Sequence, residues 1–217
     1  MEKTINSFWQ IRLKEVSETL SANNFDVFIA ENRQQASDIA YHQIIPSLSV
    51  KTISWGGSMT FVATGLYDIL KEQKSFTILD TFEKNIPADE MLERRRQSLL
   101  VDLFISGTNA LTEDGQLVNL DMIGNRIGAI HFGPRHVILF VGRNKIVSDV
   151  HEAMVRIKNY ASPTNVMRLN KNTPCLKTSV CQDCKSPERI CNVWTITEKS
   201  LPKKRIKIIL INEDLGL

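Results

Sequence analysis

The sequence predicts an α/β fold: a Rossmann-like, mostly parallel sheet with helices on both faces. Three observations carry this reading. Short apolar runs of strand length alternate along the chain with stretches whose apolar residues recur at helical spacing. One such run passes through Gly56-Gly57-Ser58 straight into a helical stretch, the form of a tight strand-to-helix turn. The chain also has 217 residues, 42% of them hydrophobic, which suffices for a sizeable core in a single domain over 1–217.

The elements follow in order. Trp9, Leu13, Val16 and Leu20 mark one face of a first helix. Phe25 to Ala30 reads as a strand. Ala36, Ile39, Ala40 and Ile44 give a second helical stripe that stops near Pro46. Val50 to Trp55 is a strand, followed by a helix with Met59, Val62, Leu66, Ile69 and Leu70 as its apolar positions. Phe76 to Leu79 is the next strand. Pro87 starts a helix reaching about Val101, with Asp89, Glu90 and Glu93 near its N-terminal end, where the helix dipole favours acids.

Leu103 to Ser106, Leu117 to Leu120 and Val137 to Val141 are further strands, with a short helix over Asn125 to Phe132. Asp149 is placed to cap a helix whose inner face is Val150, Ala153, Met154 and Ile157. Residues 160–174 read as irregular or weakly helical. Val193 to Thr197 and Ile206 to Ile211 are expected to return to the sheet. The one compositional break is 170–192, rich in Cys, Lys, Asn, Thr and Pro, which reads as a short Cys-rich loop module inserted before the last strands.

Bulk properties exclude several classes. Lys and Arg number 27 against 24 Asp and Glu, a net charge of +3, with no basic stripe interleaved with aromatics, so nucleic acid is not an expected partner. Lys203-Lys204-Arg205 beside Pro202 reads as a solvated turn. Charges throughout the first residues argue against a signal peptide, and no stretch approaches the roughly 20 apolar residues of a membrane span. A cytoplasmic protein without membrane insertion is the expectation.

Candidate chemistry lies in three places. The first is the 55–60 turn. Gly56 and Gly57 permit close ligand approach, and Ser58 or Thr60 can cap the helix or touch an anion. The alternative is an ordinary tight turn with a Ser cap. The second is the stretch 103–125, an apolar run ending in Ser106-Gly107 and followed by Asn109, Thr112, Glu113, Asp114, Asn119, Asp121 and Asn125. Such a composition after a buried strand suits a polar ligand site. Glu113, Asp114 and Asp121 are candidate acid and base groups. Asp114-Gly115 alone reads equally as a hairpin turn. At about 100° per residue, Arg95 and Arg96 share the face of Met91, Leu92, Leu99 and Leu100, with Arg94 opposite, so they are candidate partners for an anion or for the acidic stretch. Snorkelling at the helix edge is the alternative. Lys145 follows the strand 137–141, at the end where open α/β sheets bind ligands. His131 and His136 read as structural.

The third place is Cys-x5-Cys-x2-Cys-x6-Cys, formed by Cys175, Cys181, Cys184 and Cys191, the four cysteines of the chain. Clustered in this way they read as metal ligands more often than as disulfides, with free buried thiols or a redox disulfide as the alternatives. The spacing leaves zinc and a 4Fe–4S cluster both open.

Several motifs together resemble the lactate-utilisation (LUD) domain family. They are Gly-Gly-Ser-Met-Thr at 56–60, Glu-Arg-Arg-Arg at 93–96, Ser-Gly-Thr-Asn-Ala-Leu-Thr-Glu-Asp-Gly at 106–115, Leu-Val-Asn-Leu-Asp at 117–121, Gly-Asn-Arg at 124–126, Phe-Gly-Pro at 132–134 and Gly-Arg-Asn-Lys-Ile-Val at 142–147. The cysteine segment and the closing Glu213-Asp214-Leu215-Gly216-Leu217 resemble a cysteine-bearing subset of that family. The resemblance implies a NagB/RpiA/CoA-transferase-like fold. It implies a subunit or accessory role in an iron–sulfur-dependent oxidation of an organic acid, L-lactate to pyruvate. Gly56, Gly57, Ser58, Thr60, Arg95, Arg96, Gly107, Asn109, Asn119, Asn125 and Lys145 would then bind a small anionic ligand. The four cysteines would hold the cluster, a redox partner protein would exchange electrons with it, and homo-oligomers are an open expectation. Two other classes compete: a stand-alone isomerase or transferase for a phosphorylated or CoA-like substrate, with structural zinc, and a non-catalytic ligand-binding regulator.

Overall fold

The computed structural model describes residues 1–217, the side chain of Glu2 excepted. In chain order its elements are α1 (Glu2–Ala22), β1 (Asp26–Ala30), α2 (Arg33–Asp38), β2 (Thr52–Trp55), α3 (Met59–Ala63), α4 (Leu66–Glu72), β3 (Thr77–Leu79), α5 (Ala88–Gln97), β4 (Leu103–Gly107), β5 (Ala110–Thr112), β6 (Leu117–Asp121), α6 (Asn125–His131), β7 (His136–Gly142), β8 (Ile146–Val147), α7 (Val150–Arg156), α8 (Ser162–Leu169), α9 (Pro174–Thr178), β9 (Val193–Thr197) and β10 (Ile206–Ile211).

Six strands form one sheet in the order β1-β10-β7-β4-β2-β3. Every neighbouring pair is parallel, with Ile211 opposite Gly142, Gly107 opposite Phe140 and Trp55 opposite Ile105. The two-residue period of the strands sorts the core into two layers. Ile138, Phe140, Ile209 and Ile211 pack with Trp55, Phe61, Leu66 and Leu70 against α2, α3 and α4. Val137, Leu139, Val141, Ile208 and Leu210 pack on the other face against Leu13, Val16 and Leu20 of α1. Both faces are covered, which is what a parallel sheet requires.

A second, smaller sheet has the order β8-β5-β6-β9, with β5–β6 and β6–β9 antiparallel and β5–β8 parallel. It packs Ala110, Val118 and Leu120 against Ala153 and Ile157. Here the expected arrangement needs correcting. Val193–Thr197 does not return to the main sheet, and the expected strand at Leu117–Leu120 belongs to the second sheet too, paired in a hairpin with β5, a strand not expected from the sequence. The hairpin turns at Gly115, whose φ of +77° suits glycine. Length and apolarity identify a strand, but they do not say which sheet takes it.

Local departures have physical causes as well. The helix expected from Met59 to Leu70 breaks at Gly65, which has φ +77°, into α3 and α4. Residues 160–174 are more regular than expected, since α8 spans Ser162–Leu169. Two caps were legible: Ser58 Oγ accepts from Phe61 N–H at 3.1 Å, and Asp149 Oδ1 accepts from Glu152 N–H at 2.9 Å. No helix among the described residues is long and apolar enough to cross a membrane.

The turn from α6 to β7 is tightly fixed. Gly133 has φ +112°, and a Cβ there would stand 2.5 Å from the Leu99 carbonyl oxygen. Gly133→Ala is expected to lower stability in urea unfolding by about 1–3 kcal/mol. Gly57→Ala, where a Cβ meets nothing within 4 Å, should stay within about 0.5 kcal/mol of the parent.

Candidate functional site

Four adjacent parallel strands, β10, β7, β4 and β2, end side by side. Their following segments therefore meet at one edge: residues 212–216, 142–145, 107–109 and 56–60. The glycines allow the contact. A Cβ on Gly107 would lie 2.6 Å from Ser58 Oγ, and one on Gly142 would lie 2.8 Å from Leu215 N.

Arg126, in the first turn of α6, organises this edge. It is 7% exposed, and burial pushes its pKa down against the opposing pull of Asp121. Its Nε donates to Asp121 Oδ1 at 3.2 Å, and its terminal nitrogens donate to Gly107 O at 2.9 Å, Asn119 Oδ1 at 2.6 Å and Asn109 Oδ1 at 2.7 Å. The two amide oxygens accept again from the backbone, from Leu120 N–H to Asn109 and from Asn109 N–H to Asn119. A buried guanidinium is tolerated only when its donors are met, and this network meets them.

Lys145 lies beside that network. It is 4% exposed, and its Nζ donates to Thr108 O at 3.1 Å. Burial first, then the neighbouring charges of Arg156 and Arg126, lower its pKa to about 7. Arg156 of α7 is held by carbonyls rather than acids, donating to Asn144 O at 3.0 Å and Asn109 O at 2.8 Å. The cluster thus gathers three cations around one carboxylate, Asp121. One buried donor in it, Asn119 Nδ2, has no hydrogen-bond partner. Uncompensated positive charge and spare donors suit an anion.

The structure brings together Gly56, Ser58, Thr60, Gly107, Asn109, Asn119, Asp121 and Lys145 from the sequence-derived set. Gly57 adjoins them and faces open space, and Asn125 adjoins them at the start of α6. Others lie elsewhere. Glu113 pairs with Arg12 of α1, and the Asp114 carbonyl accepts from Asn23, so both face α1 at the hairpin while Asp121 ends β6 on Arg126. These three acids do not form a pair. Arg95 and Arg96 also stay out. Arg96 is 76% exposed on its side chain and pairs with Glu93, while Leu92 and Leu100 of the supposed apolar face are exposed. It is Arg94 that turns inward, to Glu83, Glu90 and the Asp80 carbonyl. Lys145 is buried at the strand end, where its sequence position puts it. Sequence reasoning missed Arg126, Asn144, Arg156 and the 213–216 segment. A lone arginine heading the apolar helix 126–130 was the available signal for the first.

The cysteines form a second centre. Cys175, Cys181, Cys184 and Cys191 all line one pocket, with Pro163 and Val166 of α8 as apolar wall. All four are unbridged and half-buried. Arg189 braces the loop, donating to Cys184 O at 2.5 Å, Cys191 O at 2.9 Å and Asp183 Oδ1 at 3.0 Å, while Lys158 donates to the same carboxylate at 2.8 Å. Burial pushes the Cys191 thiol up, and Arg189 and Lys158 act against that. Among the described residues no three His, Cys, Asp or Glu side chains gather closely enough to hold a single metal ion. The donor chemistry, four thiols and nothing harder, fits iron–sulfur or zinc. The sulfurs border a pocket rather than meet at a point.

A parallel sheet with its polar cluster at the carboxyl edge defines the open-sheet class of α/β protein. The LUD domain family model matches residues 13–211, and the chain belongs to that family. No curated protein matches it. The crystal structure of a DUF162 family protein from Deinococcus radiodurans is similar over 93% of this chain and 97% of that one, with 13% identity and a TM-score of 0.51. The ribose 5-phosphate isomerase of Plasmodium falciparum shares 14% identity over 59% of this chain and 67% of its own, with a TM-score of 0.31. The fold likeness rests on the first of these.

Two outcomes follow. Arg126→Met leaves the buried Asp121 carboxylate without its cation and the Gly107 carbonyl without its donor, and should cost about 3–5 kcal/mol in urea unfolding, with partial recovery on adding Asp121→Asn. Lys145, lowered in the fold to about 7, binds fewer protons folded than unfolded between that pH and its ordinary value. The parent should therefore gain stability relative to Lys145→Met as pH rises from 7 to 9, by up to roughly 1.4 kcal/mol per pH unit.

Proposed function

We propose that the chain is a component of an iron–sulfur-dependent organic-acid oxidation, of the L-lactate to pyruvate kind. It would hold a 4Fe–4S cluster on Cys175, Cys181, Cys184 and Cys191 and bind a small anionic ligand at the Arg126–Lys145 cluster. The observation that carries this reading is the convergence of all four cysteines on one pocket. Thiolates of one cluster bind different irons and surround it, whereas four thiolates around one zinc must close to about 2.3 Å from a single point. A bound cluster would supply one-electron transfer to a redox partner protein.

The chain's own residues account for the rest. Arg189 fixes the backbone carbonyls of Cys184 and Cys191, so the loop is shaped before it is loaded. Lys158 and Arg189 place positive charge beside the thiols, which favours thiolate and offsets the negative charge of a thiolate-ligated centre. The walls from α8 limit water. At the other centre Lys145 and Arg156, neither held by a carboxylate, attract the ligand's anionic group. Gly107 lets β4 approach the Ser58 hydroxyl, where a Cβ would stand at 2.6 Å.

Protein made and purified without oxygen should be brown, carry iron and sulfide at 4Fe–4S stoichiometry, and give a reduced-cluster signal in electron paramagnetic resonance after dithionite. The double variant Cys181→Ser/Cys184→Ser should lose iron while its far-UV circular dichroism is unchanged. Colourless protein with one equivalent of zinc would refute the electron-transfer reading.

A further inference from the structure

Lys145 is an unusual lysine for its place. It is enclosed, and its one hydrogen-bond acceptor is the carbonyl of Thr108, although an ammonium offers three donors. The charged groups around it come from each packed element. From α6 and α7 come Arg126 and Arg156, both cations. Asp121 of β6 is taken up by Arg126. From the segment after β10, Glu213 is held by Arg33 and Asp214 by Arg143. From the start of α3 comes only the Thr60 hydroxyl, which is itself turned to the Leu215 carbonyl at 3.1 Å. No carboxylate reaches Lys145 among the described residues.

What covers the amine is backbone. Leu215 N–H donates to Asn144 Oδ1 at 3.0 Å, Asn144 Nδ2 donates to Gly216 O at 3.5 Å, and Gly216 has φ +70°. A Cβ on Gly216 would lie 2.9 Å from Thr60 N and 3.4 Å from Lys145 Nζ. A side chain is thus shut out at the one point where the segment touches Thr60 and the lysine. Leu215 is anchored in the core, and Gly216 is the residue of the segment that lies against the lysine. Asn119, whose Oδ1 accepts from the Thr108 hydroxyl at 3.2 Å, keeps its Nδ2 fully buried without an acceptor. An enclosed amine with a single acceptor, beside arginines and away from any carboxylate, is a setting that suits an anion.

We propose that Lys145 is the core of a proton-coupled anion site: a carboxylate or phosphate group entering beneath Gly216 binds there together with a proton taken up by the amine. The inference rests on the reading that this edge takes a small anion, and it deepens that reading. In the empty site burial and two arginines hold the amine near neutrality, with a pKa of about 7. An anion beside it reverses the balance and favours the ammonium form. The bound complex therefore carries one more proton than its separated parts, and affinity falls as pH rises above the empty-site midpoint. Arg126 stays structural, since Asp121 and two amides already occupy it.

Protein labelled with 13C at lysine Cε reads this directly by nuclear magnetic resonance. One cross-peak, absent from Lys145→Met, should titrate near pH 7 in anion-poor buffer. Lys207, which burial also lowers, is told apart with Lys207→Gln. Saturating inorganic phosphate in one arm and L-lactate in the other should raise the Lys145 midpoint by about one pH unit or more, a tenfold preference for the charged form. A shift with either probe supports the site, and the probe that shifts it identifies phosphate or carboxylate as its chemistry. An ordinary lysine midpoint without anion, or a midpoint unmoved by both, overturns it. Should Lys145→Met not fold, the peak shifted by Arg156→Met, which removes a neighbouring positive charge, identifies Lys145 instead. Iron content is independent of this titration, so a failed cluster and a failed anion site give different results.

Discussion

The guanidinium of Arg126 is the point on which the two sheets depend. It enters from α6 and reaches the end of β4 through Gly107 O, both ends of the β5–β6 excursion through Asn109 and Asn119, and the end of β6 through Asp121. A cation so buried is stable only with its donors met, so these segments are fixed in mutual register by one side chain. The small sheet has few residues and little core of its own. The network, together with the packing on α7, holds it against the main sheet. The polar edge is a consequence: once Arg126 has consumed Asp121, the nearby Lys145 and Arg156 have no carboxylate left to pair with.

Two centres therefore sit on one family fold with different construction. The edge cluster is built by the parallel sheet, from four neighbouring strand ends, and is rigid because each strand is locked on both sides. The cysteine pocket is built by the segment between α8 and β9, with Cys175 on the short helix α9 and the other three cysteines on the loop after it, and its shape comes from Arg189, Lys158 and Asp183 rather than from the sheet. The family membership accounts for the sheet and its edge over residues 13–211. The role of the cysteines rests on their own chemistry.

Much of this was legible in the sequence, for physical reasons. Strands buried on both faces leave dense apolar runs, so β2, β4, β7 and β10 were found close to their true bounds, and the apolar run of the half-exposed edge strand β1 was found as well. Ser58 and Asp149 announced their helices because a cap needs an oxygen at one defined place. Asp114-Gly115 announced its turn because only certain residues accept φ above zero. Other features depended on partners far away in the chain. That β9 joins β6 rather than β10 is a tertiary choice. Arg95 and Arg96 stood on a face that looked apolar, but α5 has no buried residue, and its apolar stripe faces solvent at Leu92 and next to it at Leu100. Glu113 and Asp121 are near in sequence, yet they are claimed by Arg12 and Arg126 from different helices. Lys145 looked like any loop lysine because nothing local encodes the lid that 213–216 places over it.

X-ray absorption at the metal edge of protein purified without oxygen tests the central claim most directly. The account predicts an iron edge with sulfur as the sole near neighbours and a second shell of iron. A zinc edge with four sulfur neighbours and no metal–metal shell would contradict it.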